Sequence, residues 1–255
     1  DLTLQDRISV FNKINIKRKD NRVFTLAGRY VYEDRWGGEM DWTDIYRGGD
    51  EIYGESIYTN RWEVFGLYQL PLKETVNFQF SANGHSQNSV YGNVLYLADQ
   101  YIGFGQLTWN KKVNRHDMLL GSSYRYTYYD DNTPATFNAI ADTNQASIIH
   151  LPGLFIQDEI SLNEFNKVLL GVRYDYNSLH GNIFTPRINY KWNTANKKNV
   201  LRISAGNGYR VANVFTEDHA ALTGARTVEF QGELDPETSW NANVNFVKRI
   251  YTKGN

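Results

Sequence analysis

The stretch VNFQFSANGH at positions 76–85 decides the fold class, because Val76, Phe78, Phe80 and Ala82 alternate with Asn77, Gln79, Ser81, Asn83 and His85. In an extended chain successive side chains point to opposite faces, so this is a strand with one oily and one wet face. The period recurs at Val168, Leu170, Val172, Tyr174 and Tyr176 against Leu169, Gly171, Arg173 and Asp175. It returns at Phe184, Pro186, Ile188, Tyr190 and Trp192 against Thr185, Arg187, Asn189 and Lys191, and at Trp240, Ala242, Val244 and Phe246 against Asn241, Asn243 and Asn245.

Working outward, less regular segments complete about eleven strands, near residues 2–17, 22–34, 59–70, 75–85, 100–110, 116–127, 152–162, 167–176, 184–193, 199–206 and 238–248. Most reach about ten residues, against roughly five or six for a soluble strand and about 9–11 for a tilted strand crossing a bilayer. Connections alternate in length. Short ones at 18–21, 71–74, 111–115, 163–166 and 194–198 are interleaved with longer ones at 35–58, 86–99, 128–151, 177–183 and 207–238. Short turns on one rim and long loops on the other are the habit of outer-membrane barrels. With no long helical period, sequence neighbours pair as antiparallel hairpins. The absence of a fixed 40- to 50-residue repeat argues against a propeller.

A lipid-embedded strand must satisfy its backbone through its neighbours, which a closed barrel achieves. A soluble sandwich also alternates, with its oily faces pressed together, so alternation alone does not separate the two. Strand length and rings favour the barrel: Tyr30, Tyr32, Trp62, Tyr68, Trp109, Tyr124, Tyr126, Tyr174, Tyr176, Tyr190, Trp192 and Trp240 lie near strand ends, where interfacial girdles form. The expected fold is an all-β, antiparallel, up-and-down transmembrane β-barrel.

Composition excludes other classes. A net charge of −1 offers no field for nucleic acid, and the absence of cysteine removes disulfides and thiolate chemistry. No run of about 18 apolar residues is available for a membrane helix, and no signal segment precedes the first strand. The chain therefore reads as a partial barrel domain over residues 1–255, truncated at both ends.

Candidate chemistry is sparse. His85, His116, His150, His180 and His219 show no metal-binding spacing, and Gly206 with Gly208 lacks the helix that a phosphate cradle needs. No cofactor, metal or catalytic residue is expected. Asp130 and Asp131 form an acidic loop pair of the kind that calcium uses, although such pairs are usually just solvated. Ligand contacts are expected from Trp36, Trp42 and Tyr46 in a ring- and glycine-rich loop, from His85 at the end of a wet strand face, and from Tyr91 in the following loop.

Two segments resemble a known family. Residues 206–243, GNGYRVANVFTEDHAALTGARTVEFQGELDPETSWNAN, are similar to a stretch of TonB-dependent receptor barrels in which a strand ends in G-x-x-R, runs into an A-P-N-x-x-E-like sequence and later reaches L-x-P-E-x-S. Gly208, Tyr209, Arg210, Ala212, Asn213, Phe215 and Glu217 match the first half, and Leu234, Pro236, Glu237, Ser239 and Trp240 the second; the usual proline after alanine is absent. Residues 153–175, GLFIQDEISLNEFNKVLLGVRYD, resemble the family's F-x-Q-D-E hairpin followed by L-x-x-G-x-R-Y-D. Read as residues, these motifs are structural. Arg173 and Asp175 share a wet face, Arg210 and Glu237 can tether a loop base, and Pro236 fixes the chain direction as it enters a strand.

The resemblance implies a barrel of 22 strands, of which this chain supplies about half. An N-terminal plug and a TonB-binding segment, neither recognisable here, would complete it. It implies TonB-driven uptake of a scarce solute across the bacterial outer membrane, with ferric siderophores the commonest cargo and cobalamin, other metal complexes, haem and oligosaccharides as competitors. The partners are then the solute, TonB and outer-membrane lipid. Two rivals are a passive porin-like or structural barrel, whose uptake would not need TonB, and an outer-membrane enzyme, which would hydrolyse lipid or peptide.

Overall fold

The computed structural model describes residues 3–138, 141–211 and 235–250. Its strands are β1 (Leu4–Lys17), β2 (Val23–Gly38), β3 (Gly54–Gln69), β4 (Thr75–Tyr91), β5 (Val94–Val113), β6 (His116–Asp131), β7 (Phe137–Asn138), β8 (Thr143–Asn144), β9 (Ser147–Ser161), β10 (Asn166–Asn177), β11 (Gly181–Asn193), β12 (Asn199–Arg210) and β13 (Glu237–Lys248). Short 3-10 turns at Lys19–Asn21 and Asp44–Tyr46 are the helical segments among the described residues. Eleven strands form one antiparallel sheet in the order β1-β2-β3-β4-β5-β6-β9-β10-β11-β12-β13, an up-and-down meander open at β1 and β13. The small β7–β8 hairpin stands apart, within the β6–β9 connection.

Each ladder runs without a slip; β4 and β5, for example, pair from Thr75↔Asn110 to Tyr91↔Val94. An unbroken register keeps each side chain on its face. One face carries Asn77, Gln79, Arg61, Glu63, Gln106, Ser123, Arg173 and Asp175, and the other carries Phe78, Phe80, Leu107, Leu154, Phe184 and Val244. All the girdle aromatics named above stand on the oily face.

A soluble protein of this size would hide its oily face under a second layer, and none is present among the described residues. Seven hydrophobic residues are buried among those described, whereas Leu154, Phe184 and Val244 are 62%, 61% and 69% exposed. An apolar surface this extensive is not stable against water, so it faces lipid. The wet face is more enclosed, with Ala27, Thr108, Ser123 and Asp175 all buried, as on the inside of a curved wall.

Rings on the outer face lean over glycines on neighbouring strands. A side chain at Gly84 would run into the Trp62 indole, and one at Gly66 into the Phe80 ring, each glycine lying directly opposite its aromatic partner. The row Tyr30↔Trp62↔Gly84↔Tyr101↔Tyr128 thus becomes a continuous aromatic belt across five strands. A second level follows the short turns. There Trp109 donates to Glu74, while Lys111 pairs with Glu74 at 2.9 Å and holds that carboxyl below its usual range through its hydrogen bond. Trp109 lies eight residues from Tyr101 on β5, about 26 Å along a strand, the scale of an outer-membrane barrel's apolar band.

Two connections differ from the expectation. Residues 86–99 are not a long loop: β4 continues to Tyr91 and β5 starts at Val94, closed by Gly92 at φ 59° and Asn93. Residues 177–183 likewise contain a turn of residues 178–180, where Asn177 Oδ1 accepts from the backbone of Leu179 and His180. Strict alternation of loop length therefore fails, although residues 39–53 and 132–146 do form long connections on that rim. The cause is that the outer face stops being oily beyond the lipid band. Ser86 and Asn88 point outward there, so the period-two signal ends while the ladder continues.

The face assignment predicts that Leu107→Arg, on the outer face two residues inside the Trp109 belt, lowers the unfolding free energy of the protein in lipid vesicles by about 1–2 kcal/mol, while Gln106→Arg next to it, facing inward, costs less than about 1 kcal/mol. Equal costs in denaturant titrations would contradict it.

Candidate functional site

The inner face of β3–β6 builds a polar concavity in the described wall. Arg61, His85, Gln100 and Tyr129 lie opposite one another on four consecutive strands, forming one row across the sheet. With Asn83, Gln87, Tyr96, Ala98 and Ile102 they line a hollow of about 520 Å³. Arg61 is held by Glu63 at 2.5 Å. His85 Nε2 lies 3.4 Å from Gln87 Oε1, and Gln87 donates to Ser89 Oγ at 2.7 Å. These contacts form a polar ladder up one strand, with hydroxyl, imidazole and amide groups presented inward.

The upper end of the hollow is closed by packing. Tyr91, Ile57, Tyr96 and Ala98 form a buried cluster on the same face, with Tyr91 only 4% exposed. Tyr91 is thus part of the cluster above the hollow and not a loop residue. Tyr96 and Tyr129 hydroxyls meet at 3.1 Å, and Tyr129 donates to Asp131 at 2.6 Å.

The loop carrying Trp42 and Tyr46 folds back over the opposite, outer face. The Trp42 ring occupies the space a side chain at Gly54 would fill, and Tyr46 ends the 3-10 turn Asp44–Tyr46. Arg47 fastens this loop, donating to Ser56 Oγ at 3.0 Å and to Asn88 Oδ1 at 2.7 Å, with its guanidinium 4.6 Å from the Tyr58 ring centre. Trp36 borders a separate cleft of about 860 Å³ with Arg35, Glu39, Met40, Tyr53 and Glu55. Tyr53 donates to Glu55 at 2.8 Å, and burial, with that bond, raises its hydroxyl above the usual tyrosine range. The five expected ligand contacts therefore do not converge: His85 lines the hollow, Tyr91 packs above it, and Trp36, Trp42 and Tyr46 lie elsewhere.

Arg61, Gln100 and Tyr129 escaped the sequence reading because they were not aligned with His85 until the strands were paired. The dipeptide Gly92-Asn93 between apolar runs is a hairpin signal and would have placed Gln100 opposite His85. Arg47 has no comparable signal, being one arginine in a loop.

The acidic pair at Asp130 and Asp131 is already capped by donors. Asp131 accepts from Thr133 N and Oγ1, Thr136 Oγ1 and the Tyr129 hydroxyl, and Asp130 accepts from Asn144 and Tyr128. Hydrogen-bond donors stand where a calcium ion would, so the pair organises its loop. No group of three or more His, Asp or Glu able to hold a metal occurs among the described residues.

The motif residues form two ion pairs on the inner wall. Arg173 grips Asp175 through Nε at 2.7 Å and Nη2 at 2.6 Å, and Nη2 also donates to Ser123 at 2.8 Å. Gly153 makes room for them, since a side chain there would strike the Asp175 carboxylate. Arg210 lies opposite Glu237 and pairs with it at 2.8 Å, with Pro236 just ahead of β13. Glu217 lies outside the described residues.

A single-layer sheet, oily outside and wet inside, with aromatic belts and a polar inner hollow, defines an outer-membrane barrel wall. The family model for "TonB dependent receptor-like, beta-barrel" matches residues 4–255, and the chain belongs to that family. Among solved structures, the siderophore receptor PirA from Pseudomonas aeruginosa aligns with 97% of this chain and 44% of its own, at 12% identity and a TM-score of 0.65. PirA from Acinetobacter baumannii aligns with 97% of this chain and 41% of its own, at 10% identity and a TM-score of 0.69. The copper transporter OprC aligns with 95% and 42%, at 10% identity and a TM-score of 0.62. At such identities the likeness is one of fold, and the chain spans less than half the length of each. No curated protein sequence matches it.

Asp175 is 2% exposed, so removing its partner strands a buried charge. Arg173→Ala is predicted to cost about 3–5 kcal/mol in urea unfolding. Replacing Arg173 and Asp175 together by Met and Leu should cost much less, as a double-mutant cycle would read.

Proposed function

We propose that the complete protein captures a scarce solute at the cell surface and carries it through the bacterial outer membrane, driven by TonB. The observation that carries this reading is the coincidence of an unbroken two-faced sheet with the family match over residues 4–255. On this reading the chain supplies about half of a 22-stranded wall, whose plug and TonB-binding segment lie elsewhere in the parent protein. The row Arg61, His85, Gln100 and Tyr129 is the wall's contribution to solute contact, because it combines donors and acceptors on rigid, paired strands.

A metal chelate of the ferric-siderophore type is the favoured cargo. Two of the named structural neighbours are siderophore receptors and the third is a copper transporter, which supports that class. Both the family and these neighbours are receptors or transporters, which supports transport over enzymatic chemistry.

The test is growth of a deletion strain on individual iron, copper and cobalamin sources, complemented with the full-length gene in the presence and absence of TonB. One source should be rescued only when TonB is present; rescue without TonB would mark a passive pore. His85→Ala with Gln100→Ala should lower uptake of that cargo by about tenfold, the loss of one or two hydrogen bonds of about 1 kcal/mol each.

A further inference from the structure

The short turns that close the strands on one rim are basic, a feature that the net charge of −1 conceals. KRKDNR at 17–22, LKE at 72–74, KKVNRHD at 111–117, NEFNK at 163–167 and KK at 197–198 together carry eleven lysines and arginines against four acids. The two long connections of the opposite rim reverse the balance: residues 39–53 and 130–145 carry eight acids against a single cation, Arg47. The two ends of the wall therefore differ in sign, with the apolar band between them.

Cationic side chains also stitch these turns into one ridge. Arg22 donates to Leu72 O at 3.4 Å, Lys111 pairs with Glu74 at 2.9 Å and Arg115 donates to Leu162 O at 3.4 Å, so four successive turns are joined side by side. Asp20, Glu74 and Asp117 pair with Arg22, Lys111 and Lys112, whereas the exposed Lys19, Lys73 and Arg115 have no acidic partner among the described residues. At the lipid-facing edge, the Arg18 guanidinium lies 4.0 Å from the centre of the Tyr68 ring and the Lys111 ammonium 5.2 Å from that of Trp109, both rings of the outer face. Cations on long stems beside interfacial rings reach the plane of the lipid headgroups. From Trp109 an apolar furrow of about 490 Å³ runs over the outer face of β5, β6 and β9–β11, opened where the small Ser122 stands between Leu107 and Leu154.

We propose that this ridge is a docking surface for anionic phospholipids of the leaflet on the short-turn side, which is the periplasmic one in barrels of this kind. Lys19, Lys73 and Arg115 supply the uncompensated charge for the headgroup phosphates, Arg18 and Lys111 mark the lipid-facing edge, and an acyl chain follows the furrow from Trp109. A polybasic border at a membrane surface draws anionic lipid, each cation strengthening the attraction about fivefold. Two observations favour a lipid over an acidic protein or a free anion: Arg18 and Lys111 stand on rings that face hydrocarbon, and the apolar furrow begins next to them. These residues lie on the outer face or at turn tips, outside the lumen that a plug would fill, and every strand under the furrow has both its neighbours in the sheet. The inference goes beyond the import reading and does not rest on it.

The test offers phosphatidylglycerol and phosphatidylcholine in equal amounts to the purified full-length receptor in detergent and counts the bound lipids by native mass spectrometry. The wild type should prefer phosphatidylglycerol by about fivefold or more, with a preference that falls as salt rises. Lys19→Gln/Lys73→Gln/Arg115→Gln should bring the two lipids close to parity. Lys19→Arg/Lys73→Arg/Arg115→Lys, which keeps the charge, should retain the preference. Equal binding of the two lipids by the wild type, a preference that survives the glutamine variant, or its loss in the charge-conserving variant would each overturn the site. An excess of glycerol 3-phosphate should leave the bound lipid in place, and displacement would overturn the lipid as occupant and assign the ridge to soluble phosphates. The import reading is judged apart from this, by whether uptake persists without TonB.

Discussion

Everything in this molecule depends on backbone hydrogen bonds that pass from strand to strand without interruption. In lipid there is no water to satisfy a stray amide or carbonyl, so each strand needs a neighbour in register along its whole span. That requirement also fixes the side chains. Because the two faces differ so sharply in polarity, a slip of one residue would turn Phe78, Phe80 and Leu107 into the wet interior and Gln79, Gln106 and Asp175 into hydrocarbon. Pairs of ring and glycine add a second lock. Trp62 over Gly84, Phe80 over Gly66 and, on the inner face, Phe155 over Gly121 fit in only one alignment.

The inner surface is not uniform. On the β1–β5 side it includes rings such as Phe11, Phe65 and Phe104, with Phe11 and Phe65 stacked at 6.4 Å. On the β11–β13 side it is a carpet of amides and cations. Between them the Arg173–Asp175–Ser123 cluster joins β6 and β10 across β9, and its charges are mutually satisfied. The wall therefore offers different chemistry along its circumference, although its outer surface is chemically monotonous. Lipid imposes a single demand outside, and no such single demand acts on the interior.

Strands whose two faces meet lipid and water were legible in sequence, because the membrane forces the alternation. The segment at 76–85 is the clearest case. Beyond the lipid band both faces are wet, so the continuation of β4 to Tyr91 resembled a loop. The pair Arg173 and Asp175 could be placed together because two residues on a strand share a face. Their partners Ser123 and Gly153 could not, since a distant strand brings them in. His85 was found as a wet strand-end residue, whereas Gln100 and Tyr129 needed the register. For Trp42 and Tyr46 the sequence shows a loop rich in rings but not where the loop lies, and its Trp42 ring packs against its own sheet at Gly54.

The tight closure at Gly92 has a consequence for recognition. Where the sequence predicts a longer connection, β4 and β5 rise beyond the aromatic belt as one stiff blade, cross-linked through Tyr96 to Tyr129 on the adjoining strand. A floppy receptor tip must surrender conformational freedom each time it closes on a visitor, which weakens the grip. Here that ordering is completed once, when the chain folds, so on the import proposal the blade meets the solute already in shape.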